Sequence, residues 1–223
     1  GATSVILSAA NGADIKVLNM YSRSPKAFCM YSKDESLTTP ESLKGKTIAG
    51  PAGTNLHELL VSYLAQAGMT MDDVNYVSMS IPDAKAGLDG GSVDVALLAG
   101  AVAYNADKQG YHKVTDGEGL IKAIIAVATT QKFYDEHPEV IAQLEKSQQE
   151  IADFMKENPD ETMSIVAKEL DLDEEAVREM YDYYDFSLNI SEDDIDGFQK
   201  TADFMLESGM IDEALDVNSL FIK

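Results

Sequence analysis

Between Leu43 and His57 the chain runs Leu43-Lys44-Gly45-Lys46-Thr47-Ile48-Ala49-Gly50 and then Gly53-Thr54-Asn55-Leu56-His57. The spacing predicts a short buried strand over 47–49, a turn of small residues, and a helix opened by Thr54 or Asn55. A helix N-terminus leaves backbone N–H groups unpaired at the positive end of the helix dipole. An anion can be held there without a cationic side chain, so Gly53, Thr54 and Asn55 are candidate ligand contacts. Plain capping is the alternative role for Thr54 and Asn55. Further on, Gly91-Ser92-Val93-Asp94-Val95-Ala96-Leu97-Leu98-Ala99-Gly100 repeats the theme of an apolar strand ending in small residues. There Ala99 and Gly100 would let a ligand approach the backbone, and Tyr104 could stack or donate its hydroxyl. Thr3 and Ser4 open a helix over 3–11, where their hydroxyls can cap the helix or face a ligand. Ser22 and Arg23 follow a strand over 15–21. Arg23 could grip a sulfonate or carboxylate with two parallel N–H groups, or be an ordinary loop arginine.

Other chemistries find no support. His57, His112 and His137 have no metal-like spacing, and His57 reads as a helix-face residue one turn after Thr54. The acidic run from Glu192 to Asp203 matches a calcium loop poorly, and Ser191 capping an acid-rich first turn explains the same residues. No nucleophile elbow, Walker loop or dinucleotide fingerprint occurs. The single cysteine, Cys29, excludes an internal disulfide and reads as a buried small hydrophobe. No catalytic residue, metal or cofactor is expected.

The elements around these residues alternate. Strands are predicted over 15–21, 26–31, 47–49, 74–79 and 93–98, with helices over 55–67 and 82–90 between them. This is the pattern of an α/β domain with a mostly parallel sheet, in which ligands gather at the carboxyl ends of the strands. After a strand-like run over 120–128 the character changes. Apolar positions recur at helical spacing over 131–156, Pro138 and Pro159 fit helix first turns, and amphipathic helices continue over 160–170, 173–184 and 192–208.

Charge divides the chain in the same place. Of its 223 residues, 131–223 hold 26 acidic and 7 basic side chains, a net of −19, against −3 for residues 1–130. Such a surface repels phosphate backbones and anionic lipid, so nucleic-acid and membrane-surface binding are poor fits. No apolar run approaches the roughly 20 residues needed to span a bilayer. The chain opens on Gly1 rather than Met and carries no leader pattern, which points to a processed or engineered start.

The ordered combination Ala9-Ala10-Asn11-Gly12-Ala13-Asp14-Ile15-Lys16-Val17-Leu18, Ser42 to Ala49, Gly53-Thr54, Gly68-Met69 and Gly91-Ser92-Val93-Asp94-Val95 resembles a known family. It is that of ABC-importer substrate-binding proteins in the nitrate, sulfonate and taurine-binding branch. The resemblance covers residues 1 to about 130 and implies a two-lobed type II periplasmic-binding-protein fold. Family members carry a strand–helix–strand–helix–strand stretch ahead of the equivalent of Gly1-Ala2-Thr3-Ser4. The expectation is therefore an incomplete first lobe from 1–31 plus 121–223, with helical C-terminal part, and a second α/β lobe from 32–120.

The resemblance further implies a function. Two lobes would close by a hinge over a small organic anion, and a membrane ABC permease would recognise the closed form. The location would be extracytoplasmic, either periplasmic or lipid-tethered at the cell surface. Uncovered sheet edges in the incomplete lobe would favour a homodimer. The alternative is an enzyme related to thiamine-pyrimidine biosynthesis on the same fold, for which His57 is the candidate reactive group.

Overall fold

The computed structural model describes residues 1–222. In chain order the first elements are α1 (Ala2–Ala10), β1 (Lys16–Arg23), β2 (Phe28–Ser32), β3 (Thr47–Gly50), α2 (Asn55–Ala65) and β4 (Asn75–Ser78). Next come α3 (Ile81–Gly90), β5 (Val95–Ala99), α4 (Gly100–Lys108), β6 (His112–Asp116) and β7 (Ile124–Thr129). Five helices end the chain: α5 (Gln131–Glu136), α6 (Pro138–Glu157), α7 (Pro159–Leu170), α8 (Glu174–Tyr181) and α9 (Glu192–Glu207). Two compact units emerge, Gly1–Arg23 with residues from Ile124 onward, and Ser24–Ala123.

The Ser24–Ala123 unit is built on a five-stranded sheet ordered β4-β3-β5-β2-β6. β3 runs parallel to β4 and β5, while β2 is antiparallel to both β5 and β6. Central β5 has Val95, Ala96, Leu97 and Leu98 all buried, as a strand covered on both faces requires. The pleat sorts its neighbours. Met30, Ile48, Val95 and Leu97 meet Leu56, Leu59, Leu60 and Leu64 of α2 on one face. Cys29, Ala49, Ala96 and Leu98 meet Ala84 and Leu88 of α3 and Ala103 and Ala106 of α4 on the other. Each fully buried leucine contributes roughly 1.5–3 kcal/mol of transfer free energy. At the end of β3, Gly50 is dictated by packing, since a Cβ there would lie 2.5 Å from the Leu97 Cβ.

Because β3, β4 and β5 are parallel, the helices that follow them, α2, α3 and α4, all begin at the same end of the sheet. That end is where the small-residue turns lie.

The other unit holds a two-stranded antiparallel pair, β1 with β7, bulged between Val17 and Asn19 and between Met20 and Ser22. Helices α1 and α9 cover one of its faces through Val5, Ile6, Met20, Ile124, Phe198 and Met205. Among the described residues no strand pairs with the second edge of β7. On α6, Val140, Leu144 and Ile151 stay exposed. An apolar groove of about 400 Å³ runs between α6, α8 and β1, with Tyr21, Ser22, Ile151, Met155, Met180 and Tyr184 in its wall. Among the described residues, no helix is long and apolar enough to cross a membrane.

The helical pattern over 131–156 divides into α5 and α6, with His137 out of helical geometry and Pro138 in the first turn of α6, as read from the sequence. Helix α4 and strand β6 lie in a stretch for which no element is predicted. The chain passes from one unit to the other at 23/24 and back at 123/124, and β2 pairs wholly within the five-stranded sheet.

Candidate functional site

Hydrogen bonds hold the turn between β3 and α2 from inside. The Tyr76 hydroxyl donates to the Gly50 carbonyl at 2.8 Å, and the Thr54 hydroxyl donates to the Pro51 carbonyl at 2.9 Å. The Ala52 N–H reaches Ser78 Oγ at 3.4 Å, and the Gly53 N–H reaches His57 Nδ1 at 3.3 Å. Gly53 takes φ +70°, a conformation open to glycine at no steric cost. Thr54 is the N-cap, its Oγ1 accepting from the Leu56 N–H at 3.3 Å. The backbone N–H groups of Thr54 and Asn55 make no hydrogen bond among the described residues.

Asn55 sharpens the picture. It is 5% exposed, yet its side-chain amide has no partner. No fully buried side-chain polar atom lacks a partner among the described residues, so the Asn55 amide must still reach solvent. A nearly buried polar group kept unpaired at a helix opening suits a ligand more than it suits the fold.

One strand over, α4 begins without any cap. Ala99 occupies the N-cap position in an extended conformation, with no side chain able to accept, and the first turn holds no acid. Gly100 follows at φ +55°. The first turn of α4 thus sets neither a capping side chain nor a carboxylate of its own against the leading N–H groups. Tyr104 lies one turn further, with Lys108 Nζ 5.1 Å from its ring centre. The third helix at this end, α3, differs. Ser80 caps it, accepting from the Asp83 N–H and donating to the Asp83 carboxylate at 2.5 Å. Gly53, Thr54, Asn55, Ala99, Gly100 and Tyr104 therefore belong to two neighbouring helix openings in one unit.

In the other unit, helix α1 starts at Ala2, with Gly1 rather than Thr3 or Ser4 as N-cap. This corrects the expected cap by two to three positions. Thr3 lies inside the first turn, 2% exposed and with no hydrogen-bond partner for its hydroxyl, while Ser4 is exposed. Like α4, α1 carries no capping side chain and no first-turn acid. Ser22 is buried in β1 and lines the apolar groove.

Arg23 is engaged elsewhere. Its Nε and Nη2 donate to the two carboxylate oxygens of Asp194 at 2.6 and 2.5 Å. Nη1 donates to the Ser187 carbonyl and Nη2 to the Asn189 carbonyl, at 2.6 and 2.7 Å. Asp194 also accepts from the Ser191 N–H and hydroxyl, both at 2.8 Å, completing the capping box of α9. Burial would raise the Asp194 carboxyl, but the Arg23 and Ser191 hydrogen bonds outweigh it and hold the group below the ordinary carboxylate range. In place of either reading, an open grip on an anion or an ordinary loop arginine, Arg23 closes an internal clamp, with the carboxylate supplied from 171 residues along the chain.

His57 is half-buried and lies flat on Tyr76, with ring centres 5.1 Å apart and planes within 7°. Burial lowers its pKa, so the ring is neutral at ordinary pH. Sequence reasoning overlooked Tyr76 and the depth of His57; the one available signal was a histidine four residues after the turn glycine. Among the described residues, no three His, Cys, Asp or Glu side chains group as a metal would need.

Comparison with known proteins adds a family. A putative aliphatic sulfonates-binding protein of Bacillus subtilis is 27% identical over 226 residues, covering 99% of this chain and 68% of that relative. The crystal structure of the periplasmic aliphatic sulphonate binding protein SsuA from Escherichia coli superposes with TM-score 0.88 at 21% identity, over 100% of this chain and 74% of the other. The alkanesulfonate-binding protein SsuA from Xanthomonas axonopodis pv. citri, bound to MOPS, gives TM-score 0.88 at 21% identity, over 100% and 78%. The model of the NMT1/THI5-like family matches residues 1–162, and the chain belongs to that family.

Proposed function

We propose that this protein is the solute-binding component of an ABC importer, capturing a small organic anion of the sulfonate, taurine or nitrate type by hinge closure. The observation that carries the reading is the start of α4, where Ala99 and Gly100 leave the leading N–H groups with neither cap nor acid. Beside it, the unpaired Asn55 amide and the free Thr54 and Asn55 N–H groups supply further neutral donors. Neutral donors suit a sulfonate, because they hold its oxygens without burying a countercharge. Thr3, at the uncapped start of α1, is a further proposed ligand contact. The likeness to sulfonate-binding proteins supports this choice of solute class.

The partners follow from that role: a small-molecule anion and a membrane permease, with the protein working outside the cytoplasmic membrane, free or held by a lipid. We assign it no bond-making step. Self-association through the unpaired edge of β7 belongs to the same proposal, with a second copy as the occupant. The net charge of −19 in residues 131–223 opposes it, so added salt should promote the dimer.

A thermal-shift screen against methanesulfonate, taurine, nitrate, sulfate and an aminopyrimidine tests the reading. A true ligand at a hundred times its Kd stabilises by about 2.7 kcal/mol. A sulfonate that stabilises and is recovered unchanged by mass spectrometry supports a binding protein. Response to the aminopyrimidine alone, or a chemically altered solute, favours the enzyme. Sedimentation velocity at low and high salt decides self-association.

A further inference from the structure

We propose that His57 is a positioning residue for the anion-receiving turn: its Nδ1 fixes the Gly53 N–H and thereby decides which amides face a ligand. The inference rests on the binding function proposed above and goes further by naming what shapes the site. The Gly53 N–H can donate to Nδ1 only when that nitrogen carries a lone pair, which places the ring proton on Nε2. The ring is then braced from outside. Tyr76 of β4 stacks flat on it, and the Tyr76 hydroxyl ties down the Gly50 carbonyl at the opposite end of the same turn. With Thr54 holding the Pro51 carbonyl, the turn has one shape, and the N–H groups left over are those of Thr54 and Asn55.

The arrangement has a pH consequence. Burial alone lowers the His57 pKa, and no charged side chain contributes to the shift. Tyr76, the titratable group stacked on the ring, is itself pushed up to about 12 by burial and stays neutral. Glu58, the next residue of α2, is buried and partnered. On acidification below the ordinary histidine range, Nδ1 gains a proton and opposes the Gly53 N–H that it formerly accepted. A positioning role therefore predicts weaker anion binding in acid. A histidine in direct contact with the anion predicts the reverse, since its new positive charge would attract the ligand.

The test measures methanesulfonate affinity across acid and neutral pH for the full chain and for His57→Asn and His57→Phe. Asparagine places an oxygen near Nδ1 and does not titrate; phenylalanine keeps the stack and removes the acceptor. The expected result is an affinity that falls about tenfold in acid for the parent, since one hydrogen bond is at stake. His57→Asn should bind nearly as well with no acid step, and His57→Phe should bind about tenfold more weakly throughout. Amide exchange at Gly53, read by NMR without ligand, should be fast in His57→Phe and slow in the other two. Affinity that rises in acid, or equal Gly53 protection in all three proteins, overturns the proposal. If the parent binds no sulfonate, the functional reading fails, and the Gly53 exchange rates still decide the role of His57.

Discussion

Helix α9 in one unit and helix α4 in the other treat their N-termini in opposite ways. Beyond Ile124, α7, α8 and α9 all open with acids in the first turn. Asp173 caps α8, and α9 has a full capping box with Arg23 locked onto it. In the Ser24–Ala123 unit, α4 has no cap at all, and α2 has a threonine cap with an unpaired asparagine beside it. An acid at a helix start is worth up to about 1 kcal/mol, so its omission at α4 costs stability that a ligand can return. Helix ends closed by the chain's own carboxylates serve the fold; ends left open are available to an outside anion.

Breaking the closed end should have the largest effect. Arg23→Ala leaves Asp194, 3% exposed, without its partner and should destabilise by roughly 3–5 kcal/mol in urea denaturation. The same variant should move acid unfolding. Asp194 sits below its ordinary range when folded, so its contribution is present above the unfolded pKa and is lost as pH falls through the folded one. Without Arg23 that loss begins at higher pH.

At the open end, Gly100→Val forces a branched side chain to φ +55° and should cost about 1–2 kcal/mol while weakening anion binding. Ala99→Asp would make α4 resemble α9. It should raise stability by about 1 kcal/mol and lower methanesulfonate affinity by about tenfold, since the new carboxylate takes the ligand's place. A variant that gains stability and keeps its affinity would count against α4 as the receiving end. Smallest of all, Asn55→Leu should leave the melting temperature nearly unchanged, because its amide bonds nothing in the protein, and should weaken binding by severalfold.

How much of this is legible in the sequence depends on distance along the chain. The strands around Ile48 and Leu97 and the turn at Gly53 are local signals, written in apolar runs and small residues. Arg23 is not legible, because its role is decided by Asp194, far along the chain and embedded in an acidic run that reads as solvated surface. Helix α4 itself escapes for a different reason. Helix starts are recognised by capping residues, and α4 has none. Ala99 and Gly100 read as a ligand approach from their small size, and the missing cap hides only the helix that follows them. Thr3 shows the converse: a hydroxyl near a predicted helix start invites an N-cap assignment, yet Gly1 takes that position and Thr3 is buried in the first turn.

The most direct test is an NMR titration of the full chain with methanesulfonate, following backbone amides at all these helix starts. The account predicts saturable shifts at Thr54, Asn55, Gly100 and Ala101, with Ala176 of α8 and Asp194 of α9 unmoved. Shifts confined to α8 and α9, or none at Gly100 and Ala101 despite measurable binding, would contradict it.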